Sequence, residues 1–247
     1  MYLPDKIMKS GMGTSASLDT SSTPSAPTTY VLDMTQPTPA WRQTASMAFS
    51  RDFHTLTILP DGKVLVTGGG RTIGATDVAN AILPAEMWDP STEKWTTIAS
   101  MHSPRLYHST AVLLPDGRVL ITGGGRNAGG AQPATDQLSA EMYYPPYLFK
   151  GPRPTIASAP STLQYGQAFA VQTPDASRIA KVTLLRLSAV THALNWNQRY
   201  LPLAFTTGNG SLSVTAPANA NLAPPGYYML FIVDTNGIPS VAAMLKF

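Results

Sequence analysis

The apolar residues of this 247-residue chain fall into short runs separated by turn residues, and long helical patterns are missing. Two stretches show this most clearly: RDFHTLTILPDGKVLVTGGG at 51–70 and RLYHSTAVLLPDGRVLITGGG at 105–125. In each, two β-rich runs flank Pro-Asp-Gly, where proline fixes φ and glycine supplies a positive φ. The pattern predicts two antiparallel strand pairs. The predicted strands cover 55–59 and 63–67 in the first stretch and 109–114 and 118–122 in the second.

These stretches belong to a longer repeat. Leu-Pro-Asp-Gly stands at 59–62 and 114–117, three glycines at 68–70 and 123–125, and Ala-Glu at 85–86 and 140–141, so each pair is 55 residues apart. His54 and His108 are 54 apart, so one residue is inserted before the second turn. The later segments AEMWDPSTEKWTTI and AEMYYPPYLF each predict a second strand pair. We therefore expect two adjacent four-stranded units over residues 46–100 and 101–147.

A period near 50 with glycines after the second strand is the kelch pattern, in which each repeat forms one propeller blade. The residues before 46 are predicted to belong to a third blade. KIMKSG would be its glycine-ended strand, TTYVLDMTQPTPAWRQ its outer pair, and residues 14–29 a loop. The all-β fold class is thus a partial kelch β-propeller, with two full blades plus part of a third, followed by a second domain.

Propellers close with four to eight blades, so this array is open. One interpretation is that kelch-like blades exist in short arrays. The interpretation that we favour is the C-terminal part of a longer propeller protein, because an open stack leaves an unpaired edge and an apolar face. On this interpretation the chain expressed alone is expected to aggregate or oligomerise.

The residues after about 154 alternate in the manner of short antiparallel strands. The strand candidates are QAFAVQT, KVTLLRL, RYLPLAFT, SLSVTAP, YYMLFIVD and SVAAMLKF. Turn signals such as Pro-Asp at 174–175 and Asn-Gly at 236–237 separate them. Six or seven short strands in about 95 residues predict an immunoglobulin-like β-sandwich. The expected domains are a partial propeller at 1–150 and the sandwich at 151–247, beginning near Pro154.

Composition removes several function classes. Charged residues make up 13%, and the 17 Lys and Arg are scattered singly, so nothing supports nucleic-acid binding. The chain has no cysteine, which excludes a disulfide framework, a zinc ribbon or a thiol nucleophile within it. No stretch of 18 or more apolar residues predicts a membrane span. The N-terminal MYLPDKIMKSGMG lacks the apolar segment of a signal peptide.

Four histidines carry the candidate chemistry. His102 follows Met101 in a predicted loop and has no partner signal. His54 and His108 open equivalent strands, and His192 lies in a connection between two predicted strands. Tyr107 and His108 are consecutive, so on a regular strand they point to opposite faces. Both can bind one metal only if the backbone turns there, and spacing alone does not establish a metal site.

Four segments together resemble the C-terminal half of galactose oxidase and the related glyoxal oxidases. They are RLYHSTAVLLPDGRVLITGGG, EMYYPPYLFKGPRPTI, THALNWNQRYLPL and PPGYYMLFIVDTNGIPSVA. The resemblance covers roughly residues 30–247. These enzymes are radical copper oxidases with a seven-bladed kelch propeller followed by an early-set domain. They oxidise a primary alcohol or aldehyde and reduce dioxygen to hydrogen peroxide.

The resemblance implies a ligand set. The family's axial copper ligand and proton acceptor falls on Tyr107, and its two histidine ligands fall on His108 and His192. The corresponding aromatic-His pair of the preceding blade does not bind copper and falls on Phe53-His54. We therefore expect Tyr107, His108 and His192 to converge on one Cu²⁺, which accepts two imidazoles and a phenolate. Asn197 stands where the family motif has an aspartate.

The family's radical cofactor is a Tyr-Cys pair from early blades, and it cannot form in a chain without cysteine. A copper cofactor is accordingly expected only with the missing N-terminal blades, and the chain alone is expected to bind Cu²⁺ weakly, to form no tyrosyl radical and to be inactive. Whether it is itself an enzyme stays open, the alternative being a non-catalytic module that binds glycans or cell-wall polymer. The resemblance further implies a small alcohol, aldehyde or carbohydrate substrate and an extracellular or cell-surface location.

Overall fold

The structure is a computed structural model that describes residues 1–12, 23–72, 77–125 and 136–247. In these ranges the chain forms 19 strands in six sheets and three 3-10 helices of three or four residues. The predicted all-β class is confirmed. Part of the predicted loop at 14–29 lies outside the described residues. No helix in the described ranges has the length and apolarity needed to cross a membrane.

The first sheet is antiparallel with the order β1-β2-β3. Its strands are β1 (Lys6–Met12), β2 (Ala26–Asp33) and β3 (Trp41–Gln43). They match the strands predicted before residue 46, except that β2 begins at Ala26, inside the loop predicted for 14–29, because Ala26 pairs with Met12 of β1. A tight turn at Leu3–Lys6 precedes β1, and Asp5 has a φ of 57° there. Leu3-Pro4-Asp5 repeats the first three residues of the Leu-Pro-Asp-Gly turn, but its positive φ falls on the aspartate, whereas in the other two turns it falls on the glycine that follows.

The first repeat forms the second sheet, which has four strands in the order β4-β5-β6-β7. These are β4 (Asp52–Ile58), β5 (Val64–Gly70), β6 (Pro84–Asp89) and β7 (Lys94–Ser100). Every residue of β5 is buried, as expected of a strand with neighbours on both sides and on both faces. The four strands predicted for residues 46–100 are present.

The second repeat forms a three-stranded sheet in the described residues, which corrects the prediction of four strands for 101–147. The strands are β8 (Thr110–Leu113), β9 (Val119–Thr122) and β10 (Ala140–Tyr143), in the order β10-β9-β8. Where a fourth strand was predicted, residues Pro146–Phe149 form a 3-10 helix. The physical reason is Pro145-Pro146. Neither residue can donate a ladder hydrogen bond, and a proline at the first helical position favours a helical turn.

The C-terminal region contains nine strands in three sheets. They are β11 (Ala168–Gln172), β12 (Ile179–Arg186), β13 (Val190–Thr191), β14 (Leu194–Asn195), β15 (Tyr200–Leu203), β16 (Phe205–Gly208), β17 (Ser211–Thr215), β18 (Tyr227–Asp234) and β19 (Ala243–Lys246). One sheet has the order β11-β17-β16 and another β15-β12-β18-β19, while β13 and β14 form a separate hairpin. The segment predicted as one strand, RYLPLAFT, divides at Ala204 into β15 and β16, which belong to different sheets.

Strand β18 joins the two halves of the molecule because both of its faces are buried. Met229 and Phe231 belong to a core cluster with residues of the repeats, such as Leu65 and Trp88. The alternate residues of β18 belong to a second cluster, shared by the two larger C-terminal sheets. Since successive side chains of a strand point to opposite faces, this one strand packs on both cores. The C-terminal loops are thereby held against the repeats.

Candidate metal centre

The Tyr107-His108 dipeptide lies in a turn before β8. His108 has a φ of 147°, a conformation that side-chain-bearing residues rarely adopt. The turn is fixed by hydrogen bonds from the backbone amides of His108 and Ser109 to the carbonyl of Leu106, at 2.6 and 3.0 Å. The expected irregularity is therefore present, and it takes the two side chains off the alternation of a regular strand. The expected strand start at Ser109 shifts by one residue to Thr110.

His192 is presented by the β13–β14 hairpin. His192 and Ala193 form its two-residue turn, with φ values of 56° and 62°. Two positive φ angles define the type I′ geometry, for which Asn-Gly is the usual pair. The structure thus holds His192 in an unfavourable backbone conformation, a feature that is concentrated at functional sites.

Two residues of the C-terminal motif anchor this hairpin. The side-chain amide of Asn195 donates to Ser188 Oγ at 2.9 Å, and its Oδ1 accepts from the amide of Ala189 at 3.1 Å. Gln198 reaches the first repeat: its Nε2 donates to the carbonyl of Leu56 at 2.7 Å, and its Oε1 accepts from the amide of Ile58 at 2.5 Å. Gln198 therefore pairs with β4 as a short strand would.

The three predicted side chains converge. The ring centroids of His108 and His192 are 5.4 Å apart, and those of Tyr107 and His192 are 5.6 Å apart. The Tyr107 and His108 rings are 3.8 Å apart, with an angle of 36° between their planes. Both histidines are exposed and Tyr107 is half-buried, so the cluster is accessible from solvent.

Both imidazoles use Nδ1 within the protein, and neither Nε2 atom has a hydrogen-bond partner among the described residues. Nδ1 of His108 lies 3.1 Å from the carbonyl oxygen of Gly125, and Nδ1 of His192 lies 2.7 Å from Oγ1 of Thr191. Metal-binding histidines typically donate their second nitrogen in this way. In the described residues no group of three or more His, Cys, Asp or Glu could hold a metal ion. The side chain packed beside the two imidazoles is the phenol of Tyr107. This nitrogen and oxygen set suits Cu²⁺.

Phe53 and His54 follow the same repeat but have different surroundings. Phe53 has a φ of 55°, and its ring meets the ring of Tyr107 edge-on at 5.2 Å. His54 packs beside Gly11, where an added Cβ would lie 2.5 Å from Cε1 of the imidazole. Burial lowers the pKa of His54 to about 3, with a smaller contribution from Arg51. His54 is therefore a neutral packed side chain, and the exposed His102 also lies outside the cluster.

The repeat contained a signal for supporting residues that the sequence analysis did not use. Ala-Glu recurs at 85–86 and 140–141, and both quoted stretches begin with arginine. In the structure these residues form two ion pairs, Arg51–Glu86 at 2.9 Å and Arg105–Glu141 at 3.0 Å. Each arginine stands two residues before the aromatic residue of its repeat. The second pair therefore lies directly beside the Tyr107-His108 turn.

Comparisons with known proteins give matches in both the N-terminal and the C-terminal part of the chain. The family model "Glyoxal oxidase N-terminus" matches residues 10–147, more than half of the chain. The model "Galactose oxidase-like, Early set domain" matches residues 153–247. Among curated relatives, a galactose oxidase of Gibberella zeae is 34% identical over 205 residues, which is 80% of this chain and 29% of that protein. Aldehyde oxidase GLOX1 of Arabidopsis thaliana is 33% identical over 239 residues, which is 87% of this chain and 38% of that protein.

A solved structure shares the fold. It is described as a novel fungal alcohol oxidase with catalytic diversity among the AA5 family, in complex with copper, and it superposes with a TM-score of 0.91 at 30% identity. The match covers 100% of this chain and 52% of that one. The chain thus spans about half the length of this structure and less of the two curated relatives. On these matches, the chain belongs to the galactose oxidase and glyoxal oxidase family.

Proposed function

We propose that this chain is the C-terminal part of a copper radical oxidase and that Tyr107, His108 and His192 bind its copper. The observation that carries the proposal is the convergence of three rings from two distant segments of the chain, with both Nδ1 atoms engaged and neither Nε2 atom bonded within the described residues. The three N-terminal sheets would be kelch-type propeller blades within residues 1–150. Residues 151–247 would be an immunoglobulin-like early-set domain.

The reaction would remove two electrons and two protons from a primary alcohol, or from the hydrate of an aldehyde, and reduce dioxygen to hydrogen peroxide. Bound copper would supply one-electron redox chemistry at this site. The residues of this chain would position the reaction: His108 and His192 through Nε2, and Tyr107 as a third donor that, as the phenolate, would accept the proton of the substrate hydroxyl. A tyrosine is suited to this step because it is half-buried and accessible beside the two imidazoles.

The second electron requires a partner outside these 247 residues. The family's radical site is a Tyr-Cys pair, and this chain contains no cysteine. The proposal therefore includes that the chain alone is inactive and that the remaining half of a longer protein supplies the radical site. An alcohol, aldehyde or carbohydrate substrate agrees with the names of the relatives. An extracellular or cell-surface location stays a prediction from the family resemblance.

The test is Cu²⁺ titration monitored by electron paramagnetic resonance. The wild-type chain is compared with His192→Ala, and His102→Ala is the matched control because it removes an exposed imidazole elsewhere. We expect the wild-type spectrum to show nitrogen hyperfine structure that changes in His192→Ala and persists in His102→Ala. Identical spectra in all three proteins would contradict the ligand assignment and leave the non-catalytic module as the better interpretation.

A further inference from the structure

Arg105 is a fully buried arginine two residues before Tyr107. Its Nη2 donates to Glu141 Oε1 at 3.0 Å and to Ser139 Oγ at 3.1 Å. Its Nη1 donates to the carbonyl oxygens of Ser139 and Gly123, both at 2.9 Å. One guanidinium thus joins β10 to the glycine run that follows β9. These four hydrogen bonds offset the cost of burying the charge, while Nε of Arg105 has no partner among the described residues.

Glu141 fixes the chain on the other side of Arg105. Its Oε2 accepts the backbone amide of His102 at 2.7 Å, and its Oε1 accepts the amide of Ser103 at 3.0 Å. The partial positive charges of these donors and the guanidinium lower the pKa of Glu141 against the opposing effect of burial. The carboxylate of Glu141 therefore fixes the backbone at residues 102–103, which lead into the turn that carries Tyr107 and His108.

Hydrogen bonds of the glycine run at 123–125 connect Arg105 to the proposed ligands. Gly123 accepts from Arg105, and two residues later the amide of Gly125 donates to the carbonyl of Tyr107 at 2.7 Å. The carbonyl of Gly125 is the group beside Nδ1 of His108, at 3.1 Å. The carbonyl beside the His108 ring, that of Gly125, is thus two residues along the chain from Gly123, which accepts a hydrogen bond from the buried guanidinium.

The backbone of Arg105 is held independently by the first repeat. The amide of Gly69 donates to its carbonyl at 2.8 Å. Gly68 approaches so closely that an added Cβ would lie 2.3 Å from the same oxygen. Both ends of Arg105 are therefore fixed, the carbonyl by β5 and the guanidinium by β10.

The first repeat contains the same ion pair without the proposed ligands. Arg51 and Glu86 are fully buried, and Glu86 Oε1 accepts the amide of Ala48 at 2.6 Å. There β4 begins at Asp52, directly after the arginine, so strand pairing holds the following residues. In the second repeat β8 begins only at Thr110. The turn between Arg105 and β8 therefore depends more on the ion pair.

We propose that the Arg105–Glu141 pair is a positioning device that orients Tyr107 and His108 toward the metal. This inference rests on the proposed function for the identity of the bound metal. The pair does not contact the metal itself; it acts through the carbonyl of Gly125 and the backbone of the turn.

The experiment compares Glu141→Gln with the matched variant Glu86→Gln. The first readout needs no metal: the nitrogen-15 chemical shifts of the His108 imidazole, assigned with single-histidine variants. The second is the Cu²⁺ dissociation constant with its paramagnetic resonance spectrum. We expect Glu141→Gln to shift the His108 Nδ1 signal and to weaken Cu²⁺ binding by about 10- to 100-fold. Glu86→Gln should leave both unchanged, although it removes the more buried carboxylate.

Two results would overturn the inference. One is a Glu141→Gln protein with wild-type His108 signals, and the other is an equal shift in Glu86→Gln. Should Glu141→Gln fail to fold, Ser139→Ala removes the Oγ contacts of an exposed residue to Arg105 and Ser103 and should give a smaller shift of the same sign. An unchanged His108 signal there contradicts the proposal. Failure of the His192→Ala test would refute the copper assignment, while the metal-free shifts would still decide the positioning role.

Discussion

His54 and His108 occupy equivalent places in the repeat but have opposite environments. His54 lies within β4, against Gly11, while His108 lies in an exposed turn. The difference arises from the backbone, because His108 has a φ of 147° and β8 begins after it. A neutral packed imidazole and an accessible imidazole therefore come from nearly the same local sequence.

This difference predicts a pH dependence of stability. The pKa of His54 is about 3 in the folded state, against 6.5 for an ordinary histidine. At a pH between these two values His54 is neutral when folded and protonated when unfolded, so unfolding takes up a proton. The free energy of unfolding should fall as the pH is lowered below the ordinary value, by about 1.4 kcal/mol between roughly pH 7.5 and roughly pH 5.5. His54→Gln should lose this part of the slope in urea denaturation. His102→Gln, at an exposed site, should keep it, and equal slopes in all proteins would contradict a buried neutral His54.

The site residues were predicted by resemblance, and spacing could not have found them. A Tyr-His pair on a strand points to both faces, and only the positive φ of His108 brings the rings together. Nothing in a Tyr-His-Ser sequence indicates that angle, because glycine is the residue that usually marks it. The Arg and Ala-Glu repeats were visible, but their pairing depends on the approach of β10 to the segment before β8.

At the scale of elements, the β13–β14 hairpin is held against β4 by two side chains, those of Gln198 and Thr55. Gln198 pairs with the carbonyl of Leu56 and the amide of Ile58, both on β4. The hairpin itself has only two paired residues on each strand. Its position relative to the repeats therefore depends on this contact and on Thr55, whose hydroxyl donates to the carbonyl of Ala193 at 3.0 Å.

Replacing this amide should loosen the His192 hairpin. Gln198→Ala leaves a partly buried amide and carbonyl of β4 without their partner, which should cost about 1–3 kcal/mol of unfolding free energy. Hydrogen exchange of residues 190–198 should accelerate in the same variant. Asn197→Ala is the control, since Asn197 is the exposed neighbour in the same loop. Equal exchange in the two variants would show that Gln198 does not anchor the hairpin.

The ends of the strands could be predicted where the sequence contains residues that are typical of turns. Pro-Asp-Gly marked the β4–β5 and β8–β9 turns correctly. The turn at Leu3-Pro4-Asp5 has no glycine to mark it, because Lys6 stands at the glycine position and the positive φ falls on Asp5. The change of sheet at Ala204 has no turn residue to mark it, since it depends on which sheet offers a partner to each half of the segment.

For the whole molecule, β18 explains why the two regions form one structure. A strand buried on both faces has no solvent-exposed side, and its continuous apolar sequence YYMLFIV is typical of that position. The sequence pattern therefore predicted burial, but it did not show that one face would pack on Leu65 and Trp88 of the first repeat. That contact joins residues far apart in the sequence.

The exposed edge of β1 predicts association. In the described residues β1 pairs only with β2, and Ile7 on it is 36% exposed. Unpaired strand edges recruit further strands, and an edge lysine opposes this. We expect the wild-type chain to oligomerise in light scattering after size exclusion and Ile7→Lys to reduce this. Val241→Lys, at an exposed residue outside the β-strands, should have no such effect. A monomeric wild-type peak with cooperative thermal unfolding would contradict this.

The central claim is that one copper ion binds where Tyr107, His108 and His192 meet. Anomalous diffraction at the copper absorption edge, from crystals of the chain soaked in Cu²⁺, tests it most directly. We predict one dominant peak within about 2–2.5 Å of Nε2 of both His108 and His192, on the side of the Tyr107 phenol. A dominant peak at His102 or His54, or no peak between the three rings at saturating Cu²⁺, would contradict it.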